Sequence, residues 1–191
     1  FDTHMFRPIE TKLTPSLLKQ YVYHERMDND LSLLFASLKP GLDEWAGEDK
    51  GKYGLKRKDK VKIEEPLAFN KIYRSVGAAL GWQTFPELWH KPEQVGLING
   101  ALVPEGLIGG DDLLGSGREE FMAFIIAKQL FLFLPPFYLG AIRGSSDLQA
   151  FMQLAMFHVR PDRQPDNLDK GSESALKAIK KRVKGKDFEQ M

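Results

Sequence analysis

Cysteine is absent from this chain, although the sequence runs to 191 residues. The absence excludes disulfide frameworks, thiolate zinc sites and cysteine nucleophiles together. It fits a reducing compartment, and we expect a cytoplasmic protein. Long apolar runs are absent too, because the longest one, FIIAKQLFLFL at 124–134, is interrupted by Lys128 and Gln129. A membrane-spanning helix needs roughly 20 consecutive apolar residues, so the sequence predicts none.

Histidine is scarce, with only four in the chain. His4, His24, His90 and His158 stand far apart, so no two share a helix face at the spacing i and i+4. Hydrolytic zinc sites need several such ligands converging on the metal. A nucleophile elbow of the form G-x-S-x-G and the glycine-rich phosphate loops are missing as well. The sequence therefore predicts no metal, no cofactor and no catalytic residue.

The composition that is present fits a folded domain, since 42% of the residues are hydrophobic and 11% are aromatic. A chain of this length buries enough surface to fold without a disulfide or a metal ion. We predict four segments along it. These are a cloning remnant at 1–5, an N-terminal helical segment at 6–47, a core at 48–160, and a polar linker with a C-terminal basic helix at 161–191.

Helix signals occur near the N-terminus and before the middle of the chain. Thr14 followed by Pro15 favours a helix start, because Thr caps the first turn and Pro fits the first helical position. Apolar residues then repeat with helical spacing, and Lys39-Pro40-Gly41 is predicted to end the second of two helices. Another helix is predicted to open at Glu65-Pro66 and to end at Gly81.

Short strands are predicted between 86 and 110, where Gly and Pro interrupt short apolar runs. A helix at about 116–134 follows, with Ser116 and Glu119 as a capping box. Two more amphipathic helices are predicted at about 145–159 and 172–184. The predicted fold is thus a predominantly helical α+β fold, with a small β-hairpin or sheet at about 86–110 packed on the central helix at about 116–134.

Basic residues are concentrated in two runs, 50–62 and 177–186, although the formal net charge is only +1. The first run contains Gly51 and Gly54, so we predict a loop over 48–62. It also contains Tyr53. Basic residues beside an aromatic ring can bind nucleic acid through phosphate contacts and base stacking.

The stretch REEFMAFIIAKQLFLF at 118–133 follows the order of a zinc-peptidase helix, with an acidic start and then an apolar stripe. In such a helix two histidines at i and i+4 bind zinc, and the Glu between them is the general base. The corresponding positions hold Lys128, Gln129 and Leu132. An ammonium group repels the metal, an amide is no base and leucine is no ligand. Zinc-peptidase chemistry is therefore excluded on this helix.

The order of elements resembles the core of the M48-like zinc metallopeptidases, the gluzincins. The resemblance runs from YRSVGAALGW at 73–82 through LVPEGLIGGDDLLGSG to the helix and AKQLFLFLPPFYLGAI. These stretches are closer still to noncatalytic relatives of that core, found in large bacterial proteins beside tetratricopeptide repeats. The resemblance spans about 56–160. It implies a metallopeptidase-like pseudoenzyme fold with a scaffold role, and it carries no catalytic residue onto this sequence.

We therefore expect a noncatalytic protein-interaction or scaffolding domain of a larger bacterial protein, and not an enzyme. An exposed edge strand of the small sheet would capture an extended segment of a partner by strand addition. The candidate residues are Gly96, Leu97, Ile98, Asn99 and Val103. In the simpler version of this hypothesis, the domain is a spacer module that binds no ligand of its own.

The alternative hypothesis is binding of nucleic acid or another anionic surface. The candidate residues are Lys56, Arg57, Lys58, Lys60 and Lys62, together with the run at 177–186. Such binding would weaken steeply with salt, whereas an apolar protein interface would not. A third hypothesis is an enzyme of unidentified type.

Overall fold

The computed structural model of the chain describes residues 12–21, 30–114, 118–134, 137–138 and 145–183. These residues form seven α-helices and one four-stranded sheet, which confirms the predominantly helical α+β fold. In chain order the elements are α1 (Pro15–Tyr21), α2 (Asp30–Ala46), β1 (Lys60–Val61), α3 (Ala68–Ala79), β2 (Glu87–His90), β3 (Leu97–Asn99), β4 (Gly106–Gly109), α4 (Asp111–Leu114), α5 (Glu119–Phe131), α6 (Ser145–Val159) and α7 (Lys170–Arg182).

The elements belong to two compact units. The sheet unit contains the described residues of 1–23 and 48–133, and the helical unit contains those of 24–47 and 134–191. The division into four segments that the sequence suggests stays a prediction. None of the described helices combines the length and the apolar character needed to cross a bilayer.

The small sheet has the strand order β1-β2-β4-β3. β2 and β4 are parallel, and the two outer pairs are antiparallel. Residues paired across a sheet share a face. One face therefore carries a row formed by Lys60, Trp89, Ile108 and Ile98. On the other side of the sheet Leu88 and Leu107 are fully buried.

The basic segment before β1 is not the plain loop that its glycines predict. It forms two 3₁₀ turns, Lys50–Tyr53 and Arg57–Asp59, and then the first strand of the sheet. Leu55 is buried, and Tyr53 is half-buried against the Trp89 face. The partner of this strand lies almost thirty residues away in the sequence, at Trp89, so no local pattern announces it.

The helices of the sheet unit agree well with the sequence. Thr14 caps α1, because its Oγ1 accepts a hydrogen bond from the Leu17 amide at 3.2 Å. Gly81 ends the α3 region with φ +83°. α5 packs against α3 and β3, so the sheet does lie on a central helix. α5 begins at Glu119 with Arg118 at its N-cap, and the predicted cap Ser116 lies outside the described residues.

The prediction that 39–41 ends a helix is wrong, because α2 continues through Pro40 to Ala46. A proline inside a helix removes one backbone hydrogen bond, and tertiary packing can offset that loss. Here Leu38 and Leu42 are both buried. Gly41 lies so close to α7 that an added Cβ would be 3.2 Å from the Cα atom of Ile179.

The helical unit is built around α7, which packs against both α2 and α6. The predicted bounds 145–159 match α6, and the predicted C-terminal helix is α7. Ala175, Leu176 and Ile179 are buried as its apolar side predicts. Trp45 of α2 stacks on Phe151 of α6 with ring centroids 5.7 Å apart.

Candidate binding groove

The positions that correspond to a zinc motif lie at the edge of the core. Lys128 is exposed, while Gln129 and Leu132 are half-buried. The core side of α5 is formed instead by Met122, Ile126 and Leu130, all fully buried. Among the described residues, no group of three or more His, Cys, Asp or Glu side chains could hold a metal ion.

The predicted strand-addition site at 96–103 is partly engaged by the chain itself. Only Leu97, Ile98 and Asn99 form the outer strand β3. On one side of it the Gly96 amide donates to the Asp112 carboxylate at 2.9 Å. On the other side Glu48 bonds to the backbone of Ala101 and Val103. A three-residue edge remains, and its role in strand addition stays a prediction.

The five predicted anion-binding residues differ in how they are paired. Lys60 forms an ion pair with Glu87, and the Lys62 ammonium lies 4.0 Å from the Glu65 carboxylate. The other three residues, Lys56, Arg57 and Lys58, are exposed on and before the second 3₁₀ turn. The second basic run begins on α7 in the helical unit, and its residues 184–186 lie outside the described residues.

A groove of about 760 Å³ lies beside β1 in the sheet unit. We call it the apolar groove. Its walls come from the end of β1 and the following turn, from the segment leading into β2, and from the turn before β4. The apolar lining residues are Val61, Ile63, Trp82, Phe85, Pro86, Leu88 and Pro104. The sequence alone does not predict this site, because its residues are far apart along the chain.

The groove opens where β1 and β2 diverge. Their last paired residues on this side are Val61 and Leu88. Two residues further along, the same register would set Ile63 opposite Pro86, which has no N–H to donate to a ladder. The two segments separate there, and both line the groove.

Helix α3 holds the wall that contains residues 62–65. Asn70 is fully buried. Its Nδ2 donates to the carbonyl oxygens of Lys62 and Glu65 at 3.0 and 3.2 Å. These bonds fix the turn after β1 onto the helix.

The same helix also holds the opposite wall. The Tyr73 hydroxyl donates to the Pro86 carbonyl oxygen at 2.8 Å, and the Tyr73 and Phe85 rings lie 5.6 Å apart. Phe85 rests directly on Gly77, where an added Cβ would come within 2.1 Å of the ring. Asn70, Tyr73 and Gly77 are spaced by three and four residues, so they lie along one face of α3.

Tyr73 is an uncharged anchor for this wall. Its side chain is fully buried. Burial, with a smaller contribution from the Glu105 carboxylate, raises the pKa of the Tyr73 hydroxyl above its usual range. The hydroxyl therefore remains a hydrogen-bond donor to Pro86 across the physiological pH range.

The charged lining of the groove has both signs. The cations are Arg57, Lys60 and Lys62, and the carboxylates are those of Glu64, Glu87 and Glu105. The Nε1 atom of Trp82 is buried and lacks a hydrogen-bond partner among the described residues. The arrangement can accept an extended, largely apolar segment.

Another cavity, of about 460 Å³, adjoins the other side of β1. His90 Nε2 lies 2.6 Å from Asp111 Oδ1 there, which joins the end of β2 to the start of α4. Asp111 and Asp112 are the first two residues of α4. The lining residues of this cavity include no serine, threonine, tyrosine or cysteine, so no hydroxyl or thiol group lies beside the His90–Asp111 pair.

No protein-family model, no curated protein and no solved structure matches this chain. The resemblance to a metallopeptidase core therefore stays a prediction.

Proposed function

We propose that this chain is a noncatalytic protein-interaction module, and that its sheet unit binds an extended segment of a partner protein in the apolar groove. The observation that carries the proposal is the way in which one helix, α3, holds both walls of the groove through Asn70, Tyr73 and Gly77. A groove with fixed walls loses little conformational freedom when it is filled, which favours binding.

The size and lining of the groove suit a peptide. Its volume of about 760 Å³ lies within the usual range of ligand sites. Trp82, Phe85, Pro86 and Pro104 present rigid apolar surfaces. Grooves with aromatic walls bind extended peptides that keep their backbone solvated and hydrogen-bonded at few points.

Binding of a nucleic acid in this groove is the weaker candidate. A strand lying there would bring its phosphates beside the carboxylates of Glu64, Glu87 and Glu105. Tyr53, the aromatic residue within the basic run, packs on the Trp89 face of the sheet. A solvent-exposed ring is needed for base stacking. The proposal also keeps three expectations that come from the resemblance. The protein would be bacterial and cytoplasmic, it would act as a scaffold, and its fold would be related to that of a metallopeptidase.

The test is selection from a displayed library of short random peptides, followed by affinity measurements on three variants. Trp82→Ala and Phe85→Ala remove groove walls. Phe124→Ala is the matched control, because this side chain is 65% exposed on α5 and lies outside the groove. We expect both groove variants to weaken the selected peptides at least tenfold, equivalent to about 1.4 kcal/mol. The control should leave the affinity unchanged.

A single-stranded oligonucleotide serves as the competing probe in the same assay. Oligonucleotide binding that disappears with added salt, combined with peptides whose affinity ignores Trp82 and Phe85, would contradict the proposal and favour the anionic-surface hypothesis.

A further inference from the structure

A smaller cavity of about 310 Å³ continues from the apolar groove. Arg57, Lys60, Glu87 and Pro104 line both spaces, so a segment lying in the groove passes the mouth of the cavity. The cavity is further lined by Asp49, Lys50, Trp89, Leu102 and Val103. We call it the cation pocket.

The charges in the cation pocket do not cancel. Lys60 is already paired with Glu87. The Asp49 carboxylate caps the first 3₁₀ turn, where it accepts a hydrogen bond from the Gly51 amide at 2.7 Å. Within the described residues, Lys50 and Arg57 have no ion-pair partner. The lining thus has three cations against two carboxylates, and Lys50 and Arg57 are the cations that a ligand can pair with.

Trp89 supplies a second, independent sign of a missing ligand. Its side chain is only 4% exposed, and its Nε1 atom is buried without a hydrogen-bond partner among the described residues. The ring lines the pocket, with the ammonium groups of Lys50 and Lys60 at 5.6 and 6.0 Å from its centroid. A buried donor without an acceptor is costly, and a ligand oxygen would satisfy it.

The Leu102 side chain lies next to this donor. A Cβ atom added at Gly106 would lie 3.2 Å from Trp89 Nε1 and 2.8 Å from the Leu102 Cδ1 methyl, so both crowd the same small space. Leu102 is also a lining residue of the pocket. A change of the Leu102 χ2 rotamer would displace the Cδ1 methyl group and open the indole N–H to a ligand.

We propose that the cation pocket binds an anionic side chain of the peptide that occupies the apolar groove. This inference rests on the proposed function and narrows its ligand to an apolar segment with a neighbouring acidic or phosphorylated residue. Arg57 offers a planar pair of donors to a carboxylate or a phosphate, Lys50 offers a point charge, and Trp89 offers one neutral donor. The pocket thereby fixes the register of the peptide in the groove.

The test uses one library-selected peptide that depends on Trp82, made in three forms. The residue next to the apolar segment is Glu, Gln or phosphoserine. Each form is titrated against the natural chain and against Lys50→Gln, which alters the cation pocket alone. Lys56→Gln is the matched control, because this exposed lysine of the same run lines none of the three cavities.

We expect the Glu form to bind roughly tenfold more tightly than the Gln form to the natural chain and to Lys56→Gln. In Lys50→Gln that ratio should fall severalfold, while the affinity of the Gln form stays the same. A phosphoserine form that binds more tightly than the Glu form would support the inference and identify phosphate as the preferred anion.

Equal affinity of the three forms for the natural chain would overturn the inference and leave the groove proposal intact. An equal loss for Glu and Gln forms in Lys50→Gln would also overturn it, because the lysine would then act on the fold rather than on charge. Selected peptides that all ignore Trp82 and Phe85 would instead contradict the proposed function, and this inference with it.

Discussion

Helices α3 and α2 make similar kinds of contact, but the contacts of α3 form a groove and those of α2 form a packed core. Each has an internal glycine under a neighbouring side chain, and each is fastened through a tyrosine hydroxyl. α3 holds two loop segments apart at Asn70 and Tyr73, which leaves the groove between them. α2 closes directly on another helix at Gly41. The difference shows that a helix that anchors loops can build a site, whereas a helix that packs on a helix builds a core.

The basic side chains of the two units also differ, in whether they are ion-paired or line a cavity. On α7, Lys181 and Arg182 are both bound to the Glu44 carboxylate at 2.5 and 2.6 Å, so their charges are paired within the helical unit. In the sheet unit, Lys50 and Arg57 line a cavity. These four side chains therefore differ in their availability to a ligand, although all of them belong to basic runs.

The largest expected effect on stability is the difference between two glycine-to-alanine substitutions, one in α3 and one in α2. Gly77→Ala should lower the free energy of unfolding by about 3 kcal/mol, because its Cβ would meet the Phe85 ring at 2.1 Å. Gly41→Ala should change it by less than about 1 kcal/mol, since better helix propensity offsets the tighter contact at 3.2 Å. Urea unfolding of both variants checks this order. Equal costs would show that Phe85 is not seated on α3.

The next effect concerns the wall held by Asn70. Asn70→Ala loses two hydrogen bonds and should lower the free energy of unfolding by about 2 kcal/mol. It should also weaken peptide binding, because the turn after β1 is released. Asn99→Ala is the matched control, since its Oδ1 only accepts a hydrogen bond from the Ala101 amide in the region of β3. If Asn99→Ala weakened the peptides more than Asn70→Ala did, the edge of β3 would be the binding site.

The sequence predicts most of the helices and strands, but it does not predict the apolar groove. Caps and breakers locate helices correctly where the cause is local, as at Thr14 for α1 and Gly81 after α3. The prediction fails at Pro40, where burial against α7 outweighs the lost backbone bond. It also fails at β1, whose partner is distant.

No sequence pattern indicates that Asn70 and Gly77 hold the walls of the groove. Within α3 they interrupt the apolar pattern only as one polar residue and one small residue. Their roles depend on Lys62 and Phe85, which approach α3 only in the folded chain. A sequence pattern can show that such positions are unusual for a buried helix face, but it does not show what they hold.

A smaller effect is expected from removing one hydroxyl. Tyr73→Phe should lower the free energy of unfolding by about 1 kcal/mol at neutral pH, through loss of the bond to Pro86. Because the pKa of Tyr73 is raised on folding, its contribution is complete below the usual value of 10.0 and is lost as the pH rises above it. Above pH 10, this group should lower the free energy of unfolding by about 1.4 kcal/mol per pH unit. Tyr73→Phe should remove this contribution, so its stability should depend less on pH there.

Tyr138→Phe in the helical unit is the comparison for this experiment. It also loses a hydrogen bond, from its hydroxyl to Asp43 at 2.8 Å. It should leave peptide affinity unchanged, while Tyr73→Phe lowers it. Identical alkaline unfolding curves for the natural chain and Tyr73→Phe would contradict the burial of that hydroxyl.

The smallest effect is expected at the exposed ion pairs of the helical unit. The hydrogen bonds from Lys181 and Arg182 lower the pKa of the Glu44 carboxyl from its usual value of 4.5. A lowered pKa stabilises the folded state above pH 4.5, and the contribution is lost as the pH falls through the folded value. Glu44→Gln should therefore reduce the acid dependence of unfolding slightly, as measured by circular dichroism. An increased acid dependence would refute the pairing.

The most direct test of the central claim is an NMR titration of the three tryptophan indole N–H signals with a selected peptide. Trp82 lines the apolar groove and Trp89 the cation pocket, while Trp45 stacks on Phe151 in the helical unit and is the internal reference. We expect saturable shifts of the Trp82 signal with any selected peptide, a shift of Trp89 with the acidic form, and no shift of Trp45. A saturable shift of Trp45 with Trp82 unmoved would contradict binding in the groove.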